Sequence, residues 1–177
     1  DNSKIKNENS EFKPISPYAV AKLYSYWMVR LYRNGYGLFA SNGILFNHES
    51  SIRGLEFVTR KISNEIAKIS LGLSKSIKLG NLSAKRDWGY APEYVEGMWK
   101  MLQQKTSDDF VLATNETHSV GEFVDEACKV AGVSKSKIKT DKRFLRPMDV
   151  KNLRGDYKKA EKILKWKPKI TFKNLVK

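Results

Sequence analysis

Ser16-Pro17-Tyr18-Ala19-Val20-Ala21-Lys22 reads as the opening of a helix, and Ser41-Asn42-Gly43-Ile44-Leu45-Phe46 beyond it as a buried strand. Ser16 can cap the helix through its hydroxyl. Pro17 suits the first helical position, where a missing N–H is no loss. Tyr18 and Lys22 then stand at i and i+4, on one face and within reach of each other. An ammonium beside a phenol favours the phenolate, and a phenolate can take a hydroxyl proton near neutral pH, the step that accompanies hydride loss from an alcohol. A bare Tyr-x-x-x-Lys also fits any surface helix, so its neighbourhood decides the reading. The helix is expected over 17–33, stopped by Asn34-Gly35. The strand, expected over 38–47, runs out into Asn47-His48-Glu49, polar residues at a carboxyl end, where open α/β sheets bind ligands.

Periodicity extends the pattern. Leu55, Val58, Ile62, Ile66 and Ile69 recur near helical spacing between Gly54 and Gly72, and Ile77-Lys78-Leu79 reads as a short strand. A helix is expected over 91–104 with Tyr94, Val95, Met98 and Met101 on its apolar side, followed by a buried strand at Phe110-Val111-Leu112-Ala113. Ser119-Val120-Gly121-Glu122 has the form of a capping box that opens a helix to about 131. A last helix is expected over 156–165, ahead of Pro168. Helices alternating with apolar strands predict an α/β architecture with a parallel sheet.

Composition narrows the function classes. The 177 residues are 41% hydrophobic, enough for a real core, and no apolar run approaches a membrane span. The first residues, 1–13, lack the apolar centre of a signal peptide, and the single Cys128 fits a small core hydrophobe; both point to a cytoplasmic setting. The net charge of +14 raises the question of nucleic acid. Its lysines are spread along the chain, however, and the densest group, 158–169, alternates with apolar residues as a solvated helix face does. No nucleic-acid partner is expected, and His48, His118 and Cys128 have neither the number nor the spacing of a metal site.

The chain resembles the extended, nucleotide-sugar branch of the short-chain dehydrogenase/reductase superfamily. Within it, the chain is similar to the carboxy-terminal part of the GDP-mannose 4,6-dehydratase family. The residues carrying the resemblance are Ser16 to Lys22, Asn42 to Ser50, Phe57-Val58-Thr59-Arg60-Lys61-Ile62, Leu79-Gly80-Asn81, Lys85-Arg86-Asp87-Trp88-Gly89, Arg146-Pro147 and Trp166-Lys167-Pro168, in one order over nearly the whole chain. The resemblance implies the carboxy-terminal part of a Rossmann parallel sheet plus a smaller α/β substrate-binding domain. Residues 1–47 and 89–113 would form the NADP-binding portion, and 48–88 with 114–177 the sugar-nucleotide portion. It implies NADP as cofactor, GDP-mannose as partner, and a homo-oligomer, dimer or tetramer.

Residue by residue, Tyr18 and Lys22 match the catalytic tyrosine and the lysine that assists it and holds the nicotinamide ribose. His48 and Arg53 match further NADP contacts, a guanidinium being a natural partner for phosphate. Asn47, Lys61, Leu79, Arg86, Arg146 and Asp149 match contacts to GDP-sugar, Lys61 and the two arginines as diphosphate donors and Asp149 as an acceptor for ribose hydroxyls. Leu79 would pack on the nucleotide base, a position that equally suits ordinary core. Any one of the 33 Lys and Arg residues is by default a solvated side chain; these stand apart because they lie inside matched motifs. The chain departs from the family pattern at Ser51-Ile52, where a Pro-Arg pair is usual, which removes one positive charge from the loop.

Gly35-Tyr36-Gly37-Leu38-Phe39-Ala40 fits G-x-G-x-x-A formally, but it follows a helix and leads into a strand, the reverse of what a pyrophosphate turn needs. In the family the true glycine turn, and the threonine and glutamate that complete the site, lie upstream of the tyrosine helix. None is found in these 177 residues, so the chain reads as lacking the amino-terminal half and is expected to be inactive in isolation. Two other readings stay open: a nucleotide-sugar epimerase or reductase of the same branch, and a non-catalytic sugar-nucleotide-binding remnant.

Overall fold

In a computed structural model, residues 5–145, 150 and 152–177 are described. The chain opens with a segment whose Lys6 backbone bridges Arg154 and Asp156, and then enters helix α1 (Pro17–Tyr36). The Ser16 hydroxyl accepts from the Ala19 N–H at 3.1 Å, with Pro17 in the first turn, as the sequence predicts. The stop differs. Asn34-Gly35 remain helical, and Gly37 ends the helix in the left-handed region at φ 67°, its N–H closing on the Tyr32 carbonyl. The Tyr32 and Tyr36 rings stack at 5.1 Å and prolong the last turn. Gly37 is thus a helix terminator, not part of a phosphate turn.

Strand β1 (Asn42–Leu45) pairs in parallel with β6 (Asp109–Leu112), and β2 (Asn47–Glu49) with β5 (Trp88–Tyr90). Phe46 lies between β1 and β2 and still donates to Leu112 at 3.0 Å. Helix α2 (Val58–Ser70) leads to β3 (Ile77–Leu79), which pairs in parallel with β8 (Ile138–Thr140). A small ribbon joins β4 (Lys85–Arg86) to β9 (Asn152–Leu153) in parallel and to β7 (His118–Ser119) antiparallel. Helix α3 (Ala91–Leu102) follows β5, and α4 (Val120–Ala131) follows β7. Two short helices, α5 (Lys158–Leu164) and α6 (Phe172–Val176), complete the chain. The capping box of α4 forms in both directions: Ser119 Oγ accepts from Glu122 N at 3.0 Å and Glu122 Oε2 from Ser119 N at 2.6 Å.

The apolar side of α3 is only half the expected one. Tyr94, Gly97 and Met101 are buried, whereas Val95 and Met98 face out with Trp99 and Leu102. Helical spacing gives this helix two apolar stripes, and β6 takes the one with Gly97, where an added Cβ would meet Leu112 and Trp166. Around this contact a core gathers Tyr94, Met101, Phe110, Leu112, Ala160, Leu164 and Trp166. A second, larger core joins α2, β3, Trp88, α4 and α6 through Ile62, Ile66, Leu79, Phe123 and Cys128. Cys128 sits there as a small hydrophobe, and burial pushes its thiol pKa up.

Asp87 ties the two regions together. It is fully buried and accepts four bonds: from Thr114 N and Oγ1 (both 2.8 Å) on Oδ1, and from Asn115 N and Gly155 N (both 3.1 Å) on Oδ2. Every backbone donor that this turn buries beside the carboxylate is thereby satisfied.

Candidate active site

Helix α1 holds Tyr18 and Lys22 at its start, with the Lys22 ammonium 5.5 Å from the centre of the Tyr18 ring. Tyr18 is 71% exposed. The helix is fixed farther along, at the one buried residue it has, Tyr26. The Tyr26 hydroxyl donates to Asp109 Oδ2 (3.1 Å), at the first residue of β6, and accepts from Arg30 (2.7 Å). Arg30 and Arg33 reach the same carboxylate at 3.0 and 2.9 Å, and Asn42 on β1 donates to it at 2.9 Å. Burial pushes the Asp109 pKa up, but Arg33, Asn42 and Tyr26 outweigh it and hold the carboxyl below its ordinary value. Phe12 packs on the Tyr26 ring at 4.7 Å. A charged clamp, with little apolar packing, therefore places the Tyr–Lys pair.

The carboxyl end of β2 supplies a second group. Asn47 and His48 lie on β2, level with Trp88 and Gly89 of β5. His48 Nδ1 is 2.8 Å from the Phe46 carbonyl, which can only accept, so Nδ1 is the donor there, and in the neutral ring Nε2 is an acceptor. The imidazole stacks on Tyr94 at 5.1 Å. Glu49 is buried; its Oε2 accepts from Thr59 Oγ1 at 2.7 Å and pairs with Arg53 Nε at 3.2 Å. Burial pushes the Glu49 carboxyl up against the pull of Thr59, Arg53 and His48. The Arg53 guanidinium carbon sits over Phe57, 3.5 Å from the ring centre. A cavity of about 400 Å³ opens at the paired strand ends Glu49 and Tyr90, with Ser51, Thr59 and Ser63 on its wall. Tyr18 and Lys22 do not line it.

A third group gathers the sugar-nucleotide candidates. Lys61, two residues beyond Thr59 on α2, donates to the Lys78 carbonyl at 3.2 Å and sits 4.0 Å above the Phe144 ring. Leu79 is 2% exposed and belongs to the larger core, while its carbonyl accepts from Asp141 N at 2.8 Å. Arg86 on β4 donates to the Val150 and Lys85 carbonyls. Arg146 and Asp149 lie outside the described residues. Among the described residues, no three His, Cys, Asp or Glu side chains group as metal ligands, and no helix is long and apolar enough to cross a membrane.

Sequence reasoning gave no role to four contributors: Glu49 and Phe57, which lie inside the quoted motifs, and Phe144 and Asp109, which do not. A carboxylate closing an apolar strand was the available signal for Glu49. Asp109 opening the strand Phe110–Ala113 gave a similar one.

The family model described as GDP-mannose 4,6 dehydratase matches residues 1–177. The chain is 51% identical over 172 residues to GDP-mannose 4,6 dehydratase 1 of Arabidopsis thaliana, covering 97% of this chain and 48% of that one. It is 48% identical over 190 residues to the Homo sapiens GDP-mannose 4,6 dehydratase, covering 96% and 50%. The chain thus spans about half the length of the relatives it matches. Among solved structures it superposes on RMD from Pseudomonas aeruginosa complexed with NADPH (TM-score 0.88, 20% identity, 97% of this chain and 57% of that one). It also superposes on dTDP-glucose 4,6-dehydratase from Bacillus anthracis in complex with NAD (TM-score 0.87, 18% identity, 98% and 54%). At that identity the likeness concerns the fold, a partial Rossmann-type α/β structure. The sequence matches, over the whole of its length, place this chain in the GDP-mannose 4,6-dehydratase family.

Proposed function

We propose that these residues form the proton-transfer and sugar-nucleotide-contacting part of an NADP-dependent GDP-mannose 4,6-dehydratase, which converts GDP-mannose to GDP-4-keto-6-deoxymannose. The observation carrying this reading is the exposed Tyr18–Lys22 pair at the capped start of α1, within a chain that matches the family throughout. The donor set fits a nicotinamide dinucleotide: a phenol and an ammonium side by side, an imidazole acceptor at a strand end, and a guanidinium next to it. When bound, that cofactor would take up a hydride from the sugar and return it within one turnover.

The residues of this chain act around that exchange. Tyr18 accepts the proton of the sugar 4-hydroxyl, with the Lys22 ammonium beside its ring. His48 and Arg53 contact the cofactor. Asn47, Lys61 and Arg86, with Arg146 and Asp149, hold the nucleotide diphosphate and ribose, charge-assisted bonds to phosphate being the strong ones. Residues 1–47 and 89–113 form the cofactor portion and 48–88 with 114–177 the substrate portion; the separate core of α2, β3, α4 and α6 supports that division, whereas Ala160, Leu164 and Trp166 pack with α3 and β6 of the cofactor portion. Loss of the upstream glutamate as base for the sugar C5 proton alone costs about 10²–10⁴ in rate, so these 177 residues by themselves are expected to make no product.

The test grafts residues 14–177 in place of the matching segment of the Arabidopsis relative. Conversion of GDP-mannose to a 4-keto product by the graft, and not by the 177-residue chain, is the expected result. A correctly folded graft that binds UDP-sugars in preference to GDP-mannose would instead identify an epimerase-type enzyme.

A further inference from the structure

We propose that Glu49 is a positioning residue that presets Arg53 for a phosphate of the dinucleotide, a proposal resting on the cofactor reading above. The Arg53 guanidinium is engaged on two sides. Its Nε is buried 3.2 Å from Glu49 Oε2, an ion pair without a hydrogen bond, and its central carbon sits 3.5 Å from the Phe57 ring centre. Among the described residues, nothing engages the two Nη groups. A guanidinium held by a carboxylate and a ring, with its outer donors unused, is suited to bidentate phosphate recognition.

Glu49 is itself fixed. It ends β2 in register with Tyr90, is buried, and takes a 2.7 Å bond from Thr59 at the start of α2. The same carboxylate thus joins the loop carrying Arg53 to the helix carrying Lys61. Residues 50–57 form two turns, closed by Arg53 N on the Ser50 carbonyl (3.1 Å) and Phe57 N on the Gly54 carbonyl (3.2 Å), which set the backbone; the carboxylate adds the constraint on the side chain. This also offers a physical reason why the loop tolerates Ser51-Ile52: one preset guanidinium loses less freedom on binding than several free ones.

Charge alone predicts the opposite effect. Removing a carboxylate from beside a phosphate site should tighten anion binding, whereas removing an orienting contact should weaken it.

Two measurements separate the possibilities. In the 177-residue chain, nitrogen relaxation at Arg53 Nε should show a guanidinium held rigid in the wild type and a clear loss of order in Glu49→Gln. Unchanged order would overturn the positioning role whatever the cofactor. In the graft, titration with NADP should give a Kd about tenfold higher for Glu49→Gln. The same substitution should have no further effect in an Arg53→Gln background, because a residue that acts through another is silent once that one is gone. Tighter NADP binding by Glu49→Gln, or effects of the two substitutions that simply multiply, would overturn it. A wild-type graft that binds no NADP would refute the cofactor reading, and the relaxation measurement would still decide the geometry.

Discussion

Replacing Asp109 with Asn should loosen the helix that carries Tyr18. One oxygen of the carboxylate serves Arg33 and Asn42, the other Tyr26 and Arg30. In Asp109→Asn one of these becomes an NH₂ that faces two donors, and the charge that held both arginines is gone. Arg33, 13% exposed, loses a well-desolvated partner, whereas Arg30, at 37%, is screened by water and counts for little. A charge-assisted bond contributes about 1.5–3 kcal/mol and a buried donor left unpaired costs about 1–3 kcal/mol, so a loss of about 2–4 kcal/mol is expected at pH 7.

The pH dependence carries the sign. The folded carboxyl lies below its ordinary value of 3.8, so its contribution is complete above that pH and disappears as the pH falls through the lower folded pKa. Urea melts of wild type and variant should therefore differ at pH 7 and converge below pH 3.8, and amide exchange along α1 should quicken in the variant at neutral pH. A difference under about 0.5 kcal/mol at pH 7, within the range of ordinary surface changes, would refute the clamp.

Three further outcomes are expected. In the graft, Tyr18→Phe should lower turnover by about 10²–10⁴ with GDP-mannose affinity unchanged, since the hydroxyl is lost while the exposed ring stays; steady-state kinetics and calorimetry check it. Asp87→Asn should cost about 2–4 kcal/mol in denaturant melts, because the new NH₂ faces either the N–H groups of Asn115 and Gly155 or the N–H and O–H of Thr114. Ser119→Ala should cost about 1 kcal/mol by removing the hydroxyl half of the α4 capping box, with no change in ligand binding.

What could be read from the sequence was local. Ser16-Pro17 marked the start of α1, Ser119 to Glu122 the start of α4, and i,i+4 spacing the meeting of Tyr18 with Lys22, since each depends on residues within one turn. The end of α1 was misplaced because Asn34-Gly35 has the composition of a stop, while only Gly37 adopts the left-handed backbone that makes one. On α3, spacing could not choose between the stripe with Tyr94 and Met101 and the one with Val95 and Met98, because partners on other elements choose. Two-residue strands such as β4, β7 and β9 carry no periodicity. Arg33 and Asp109 are 76 residues apart, and no local pattern joins them. Glu49 and Arg53 are four apart, yet in a loop, where that number has no fixed geometric meaning.

The clamp at Asp109 makes α1 a lever. Its fulcrum is Tyr26, and Tyr18 lies eight residues out along the arm, about 12 Å at 1.5 Å per residue. A rotation of about 5° at the fulcrum moves the phenol by about 1 Å on that arm. A displacement of that size costs a reacting group about 10²-fold in rate. The stiffness of four hydrogen bonds at a strand end thus sets the aim of a hydroxyl two helical turns away.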